Sequence, residues 1–106
     1  MAWIFLSIAG LLEVLWAVSL KHTEGFSNLR WSFVTVVGMT ASFYCLAQAL
    51  KTIPVGTAYA IWTGIGAAGT AILGIVLFAE SAALPRLFCI GVIVAGILGL
   101  KLTSSS

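Results

Sequence analysis

Apolar stretches about as long as a membrane is thick alternate with short polar connections along this chain. The stretches predict four helices, at about residues 2–20, 31–50, 57–79 and 84–102. A helix rises about 1.5 Å per residue, so about 20 residues cross the hydrocarbon core of a bilayer. The pattern therefore predicts an all-α membrane protein, a single domain over residues 1–106 with four transmembrane helices.

Turn signals separate the predicted spans. Residues 21–25 end the first span, and Pro54 and Gly56 supply the break before the third. Pro85 suits the first turn of the last helix, where a missing N–H costs nothing. Residues 104–106, three serines, are expected to form a solvated tail.

The composition excludes several classes of protein. Hydrophobic residues make up 61% of the chain and charged residues 8%, whereas a soluble domain carries about a quarter charged residues. The net charge of +2 comes without a basic cluster, which argues against a nucleic-acid partner. Cys45 and Cys89 lie in apolar runs and are predicted to be small buried residues rather than a disulfide or metal pair. We expect no metal, no cofactor and no enzymatic activity.

The basic residues are divided almost equally between the two sides of the predicted membrane. Lys21, Arg30 and Arg86 fall on one side, and Lys51 and Lys101 fall on the other with the α-amino group. Lys and Arg bias sets orientation, and so small a bias is compatible with insertion both ways. Four helices with short loops leave little room for a pathway inside one chain. We therefore predict a homodimer, with any transport route between the copies.

Glu13 lies about midway along the first span and is the centre of the functional hypothesis. A charged residue there costs roughly 2.5–3.5 kcal/mol on insertion scales. The alternative is a structural ion pair, but the spans hold no Lys, Arg or His at that depth. Such a carboxyl group is neutral when it holds a proton, or negative when a cation supplies the counter-charge. This competition is the minimal physical basis of antiport.

Aromatic residues accompany the acid. Trp16 and Gly10 share the helix face of Glu13, and Tyr59 and Trp62 form a pair three residues apart in the third span. Aromatic faces attract cations by about 0.5–2 kcal/mol. An interfacial belt is the other interpretation of membrane Trp and Tyr, but Trp16 and Trp62 lie further in, which favours a pocket.

The third span also contains a glycine pattern with two interpretations. Gly64, Gly66 and Gly69 formally match a dinucleotide-binding motif, but that motif needs a preceding strand. In a membrane helix, glycines instead permit close packing or a bend. Ser42 likewise has two interpretations, a bond to its own backbone or a place in the pocket.

The motifs resemble the small multidrug resistance family over essentially the whole chain. The similarity is carried by residues 10–16 (GLLEVLW), by Lys21 with residues 24–26, and by residues 54–66 (PVGTAYAIWTGIG). Trp16 after Glu13, and residues 99–101 (GLK), resemble the guanidinium-exporter subtype. The multidrug subtype usually has glycine at the position of Trp16.

The resemblance implies an antiparallel, dual-topology homodimer in a bacterial inner membrane, which exchanges protons for cations at paired glutamates. Glu13 would bind substrate and protons, while Trp16 and Ser42 would hydrogen-bond and orient the glutamates. Tyr59 and Trp62 would line the pocket. Gly64 and Gly66 are expected to let the third helix flex.

The fourth span departs from the family pattern. The family often has two glycines seven residues apart at its dimer seam, whereas here Cys89 precedes Gly96. Cysteine is small enough to keep helices close, so these two residues are predicted at the seam between copies.

The leading hypothesis is proton-coupled export of guanidinium ion. Its partners would be guanidinium or a related small cation, protons, membrane lipid and a second copy of the chain. Two alternatives remain open. One is a broad exporter of quaternary ammonium compounds, and the other is a cation channel or a non-transporting membrane scaffold.

Overall fold

The computed structural model describes residues 1–103, and all of its regular elements in that range are helices. The predicted serine tail at residues 104–106 lies outside the described residues. The elements are α1 (Ala2–His22), α2 (Leu29–Ala49), α3 (Val55–Phe78) and α4 (Leu84–Thr103). Each is long and apolar enough to cross a membrane. The four predicted spans are therefore present, with ends that differ by one or two residues.

Local chemistry explains where the helices begin and end. Asn28 caps α2 because its side-chain oxygen accepts a hydrogen bond from the Trp31 backbone N–H at 3.3 Å. Pro54 occupies the N-cap of α3, so the helix begins at Val55 and includes Gly56, which had been expected in the turn. At the other end of α3, Ala79 takes the left-handed conformation that usually ends helices.

Helix α1 lies between α2 and α3, and α4 packs against α3. The core sits where the first three helices meet, with partly buried Ile97 of α4 packed against it. Its buried residues are Leu6, Ala9, Ala49, Ile53, Ala58, Ile61 and Trp62. Ile90 is the one buried residue within Leu84–Thr103. Most of the surface of α4 therefore faces outward from the chain.

Glycines bring α3 close to its neighbours on two sides. A Cβ added at Gly10 of α1 would lie 2.6 Å from Cγ2 of Ile65, and one added at Gly64 would lie 2.9 Å from Cγ1 of Ile97 on α4. Real Cβ atoms do not approach neighbours so closely. Small residues let membrane helices pack at short distance, and here they set the spacing of α1, α3 and α4.

The structure corrects one of the two cysteine predictions. Cys45 of α2 is partly buried, but Cys89 of α4 is exposed. The reason is the one-sided packing of α4, which contacts α3 and leaves its other faces without cover in the single chain.

Candidate functional site

Glu13 lies on the face of α1 that meets α3, and its side chain rests against Gly66. A methyl group at Gly66 would overlap the Glu13 carboxyl group, so only glycine leaves room for it. Among the residues that the structure describes, Oε1 of Glu13 is buried without a hydrogen-bond partner. An ionised carboxylate left unpaired in apolar surroundings is costly. This group therefore needs a proton or a cation.

An open-sided cavity of about 660 Å³ extends between α1 and α3 from Glu13. On α1 its wall includes Glu13, Ala17 and Lys21, which lie four residues apart and so on one face. On α3 the wall is a stripe of small and hydroxyl residues at helical spacing: Thr63, Gly66, Thr70 and Gly74. The carboxyl group thus stands in a cavity large enough for a small cation with its water.

Charged groups stand at the end of the cavity that lies beyond the C-terminus of α3. Nη2 of Arg86 donates a hydrogen bond to Oε1 of Glu80 at 2.9 Å, and both side chains are about two-fifths exposed. Nζ of Lys21 lies 4.6 Å from the centre of the Phe78 ring, a cation–π distance. An ion pair with this much exposure contributes at most about 1 kcal/mol. The Arg86–Glu80 pair therefore holds this end of the cavity together only weakly.

Ser42 is buried at the junction of three helices. Its hydroxyl donates to the Ala9 carbonyl at 2.7 Å and accepts a hydrogen bond from Nε1 of Trp62 at 3.0 Å. These two bonds join α2 to α1 and α3 to α2. Ala9 precedes Glu13 by one turn, so the cluster fixes α1 beside the acid. In this single chain, the hydroxyl is engaged by Ala9 and Trp62 rather than by Glu13.

Aromatic rings form a series from Trp16 across Phe43 and Trp62 to Tyr59. The ring centres are 6.5 Å, 5.6 Å and 5.5 Å apart in that order, and each pair meets edge to face. Trp62 is buried, whereas Tyr59 is 57% exposed. Three of the predicted pocket residues are therefore brought together with one another, with Phe43 as the link between Trp16 and Trp62. None of these rings is among the residues that line the cavity beside Glu13, so their place in a substrate pocket stays a prediction.

Trp16 also carries an unpaired polar atom. Its Cβ packs against Gly38 of α2, where an added Cβ would lie 3.2 Å away. Within residues 1–103, Nε1 of Trp16 is buried and has no hydrogen-bond partner. An indole N–H is a donor only, so this group can serve a carboxylate or another acceptor that the single chain does not supply.

The remaining predicted residues occupy other places. Gly10 packs against Ile65 and does not line the cavity, and Gly64 packs against Ile97. The helix α3 runs without interruption through Gly64 and Gly66, so flexing stays a prediction. Cys89 and Gly96 lie on the outward surface of α4, where the seam between copies was predicted.

Most residues that line the cavity are not marked out by the sequence, among them Thr70 and Glu80, and neither is Phe43 of the aromatic series. The signal for Thr70 is its spacing, because it continues the face of Thr63 and Gly66 along α3. Phe43 had no such signal, since it is one of two phenylalanines in α2 and both are exposed in the single chain. No cluster of three or more His, Cys, Asp or Glu side chains suited to a metal ion occurs in the described part of the chain.

Comparison with known proteins places this geometry in context. Residues 1–93 match the family model described as Small Multidrug Resistance protein. The chain is 64% identical to the guanidinium exporter of Yersinia pseudotuberculosis over 104 residues, which cover 98% of this chain and 100% of that protein. It is 62% identical to the guanidinium exporter of Salmonella typhimurium and 58% identical to that of Citrobacter freundii, each covering 98% of this chain and 99% of the relative. Together with the four apolar helices, these matches indicate a multi-pass membrane protein.

Proposed function

Because this chain belongs to the small multidrug resistance family, we propose that it exports guanidinium ion in exchange for protons. Its similarity to proteins named guanidinium exporters supports the substrate. The observation that carries the coupling to protons is the Glu13 carboxyl group, seated on Gly66 in the wall of an open cavity with Oε1 unpaired. The activity is transport, with no bond made or broken in the substrate.

Exchange follows from competition at one group. A guanidinium ion offers parallel N–H donors that match the two oxygens of a carboxylate. When the cation leaves, a proton must neutralise the same group, because an uncompensated charge in the membrane is costly. Cation and proton therefore occupy Glu13 in turn. Each transport cycle then moves them in opposite directions.

The functional unit in this proposal is an antiparallel homodimer in a bacterial inner membrane. Two features support the presence of a second copy. The cavity beside Glu13 is open on one side in the single chain, and the outward surface of α4 is apolar and uncovered. A second copy would close the cavity and bring a second Glu13 into it, so that the two carboxyl groups titrate as a pair. The unpaired indole N–H of Trp16 could then donate a hydrogen bond to a carboxylate in the assembled site.

The test is transport by purified protein in proteoliposomes, with charge movement recorded on a solid-supported membrane. We expect guanidinium to drive proton movement in the wild type. Glu13→Gln should abolish this movement, because the neutral amide cannot balance the positive charge of the cation and cannot bind or release a proton. Glu24→Gln is the matched control, since Glu24 is exposed in the loop after α1. Exchange by Glu13→Gln at the wild-type rate would overturn the proposal.

The same recordings separate the alternatives. A bulky quaternary ammonium ion is applied beside guanidinium across a range of pH. An exporter of quaternary ammonium compounds would respond more strongly to that cation than to guanidinium. A channel would pass current down a cation gradient without moving protons.

A further inference from the structure

Thr70 places a hydroxyl-bearing side chain in the wall of the cavity. It lies on α3, one turn beyond Gly66, and lines the same cavity as Glu13. Its Oγ1 atom is buried, and within the described range it has no hydrogen-bond partner. The cavity wall thus holds two unpaired oxygen-bearing groups on facing helices, the Glu13 carboxyl group and the Thr70 hydroxyl.

Four of the five other threonines in the helices behave differently. Thr35, Thr40, Thr63 and Thr103 each donate their hydroxyl to the backbone carbonyl four residues earlier, at 2.8 to 2.9 Å. This bond is the usual way for a hydroxyl to be satisfied inside an apolar helix. Thr70 could make it with the Gly66 carbonyl but does not. Leaving a buried hydroxyl unpaired costs free energy, so a partner that arrives during function would recover it.

We propose that Thr70 is a binding residue for the guanidinium ion, and that its hydroxyl accepts a hydrogen bond from one N–H while Glu13 accepts from others. The spacing suits such a bridge. Glu13 rests on Gly66, and four residues of helix place Thr70 about 6 Å further along the axis. A planar cation with a hydrogen bond of about 2.8–2.9 Å at each end spans that separation.

The substrate class follows from the donor and acceptor chemistry. A hydroxyl oxygen accepts hydrogen bonds, and guanidinium presents N–H groups around its whole edge. A quaternary ammonium ion has no N–H to offer, so Thr70 gives it nothing. The hydroxyl therefore adds selectivity for planar cations rich in N–H groups. This inference rests on the proposed function, because it names a further contact for the same substrate.

The experiment compares Thr70→Val, which removes the hydroxyl and keeps the shape, with Thr70→Ser, which keeps the hydroxyl. Thr40→Val is the matched control, because Thr40 lies on α2 outside this cavity and its hydroxyl is bonded to the Val36 carbonyl. Guanidinium Kd and transport KM are measured for each. We expect Thr70→Val to raise both about tenfold, the size of one hydrogen bond to a charged group. Thr70→Ser and Thr40→Val are expected to stay within twofold of wild type.

A second measurement separates binding from structure. The carboxyl band of Glu13 is titrated by infrared spectroscopy without guanidinium, and its midpoint is expected to be the same in wild type and Thr70→Val. A shifted midpoint would mean that the hydroxyl serves the carboxyl group, which overturns the proposal. Retention of wild-type Kd by Thr70→Val would overturn it too, as would equal loss in Thr70→Ser. If the wild type itself failed to transport guanidinium, the proposed function would fall instead.

Discussion

The two sides of α1 differ in how their buried hydroxyl and carboxyl groups are paired. On the side that meets α2, the buried hydroxyls are all bonded: Ser19 pairs with Thr35 at 2.7 Å, and Ser42 bonds Ala9 and Trp62. Around the cavity between α1 and α3, Glu13 and Thr70 each keep a buried oxygen without a partner in the described structure. One helix thus joins an interface whose buried hydroxyls are bonded to one whose buried oxygens are not, and the unpaired group on the α2 side is the N–H donor of Trp16.

The difference separates scaffold from site. A buried hydrogen bond fixes the position of the helices that share it, and breaking it leaves a costly unpaired group. An unpaired group is already costly, so it favours whatever ligand can satisfy it. The α1–α2 interface therefore holds Glu13 in place, while the α1–α3 interface leaves its Oε1 atom without a protein partner. Changes on the two sides should have separable effects on stability and on affinity.

The largest effect is expected at Gly66. Gly66→Ala puts a methyl group where the Glu13 carboxyl group lies, so the flexible acid must move. We expect guanidinium affinity to fall at least tenfold in binding titrations, while thermal stability in detergent changes little. Gly56→Ala is the control, since an added Cβ there meets nothing within 4 Å. Wild-type affinity in Gly66→Ala would show that the seat of the carboxyl group is irrelevant to binding.

At Ser42 we expect a substitution to lower the free energy of unfolding, with little direct effect on guanidinium affinity. Ser42→Ala leaves Nε1 of Trp62 without its acceptor in the core, which should cost about 1–3 kcal/mol of unfolding free energy. Ser7→Ala is the control, because that exposed hydroxyl bonds only its own helix. Unfolding in a denaturing detergent measures both. A stability equal to wild type in Ser42→Ala would contradict the scaffold role.

The smallest effect is expected at the Ser19–Thr35 pair, through a double-mutant cycle with Ser19→Ala and Thr35→Val. Hydrogen bonds between membrane helices contribute about 0.6 kcal/mol on average. We expect a coupling free energy of about that size, measured by the same unfolding method. Additive effects of the two substitutions would mean that the 2.7 Å contact does not stabilise the α1–α2 interface.

Much of the fold could be predicted from the sequence, because lipid imposes strong constraints on it. Apolar runs of membrane length predicted the four helices. Glu13 stood out because it is an acidic residue in the middle of such a run. The close packing permitted by the third-span glycines is present at Gly64 and Gly66. These features depend on local composition or on one unusual residue, so they can be recognised in one amino-acid sequence.

The partners of individual side chains could not be predicted in the same way. The hydroxyl of Ser42 could bond its own helix or face a pocket, and the outcome depended on how α1 and α3 approach it. Its actual partners, the Ala9 carbonyl and Trp62, lie 33 and 20 residues away in the chain. The contacts of Phe43 with Trp16 and Trp62 likewise depend on how α1 and α3 approach α2. Helix rotation decides such contacts, and apolar spans carry little periodic signal to fix it.

The outward-facing α4 has a consequence for how the protein is made. The buried bonds of Ser19, Thr35 and Ser42 lie wholly within residues 1–78, and Ile90 is the one buried residue of α4. Chains emerge from the ribosome N-terminus first, and their early parts fold as they appear. The first three helices can therefore settle against one another in the bilayer before synthesis ends. Helix α4 is then added to three helices that are already packed, and its insertion depends mainly on its own affinity for lipid.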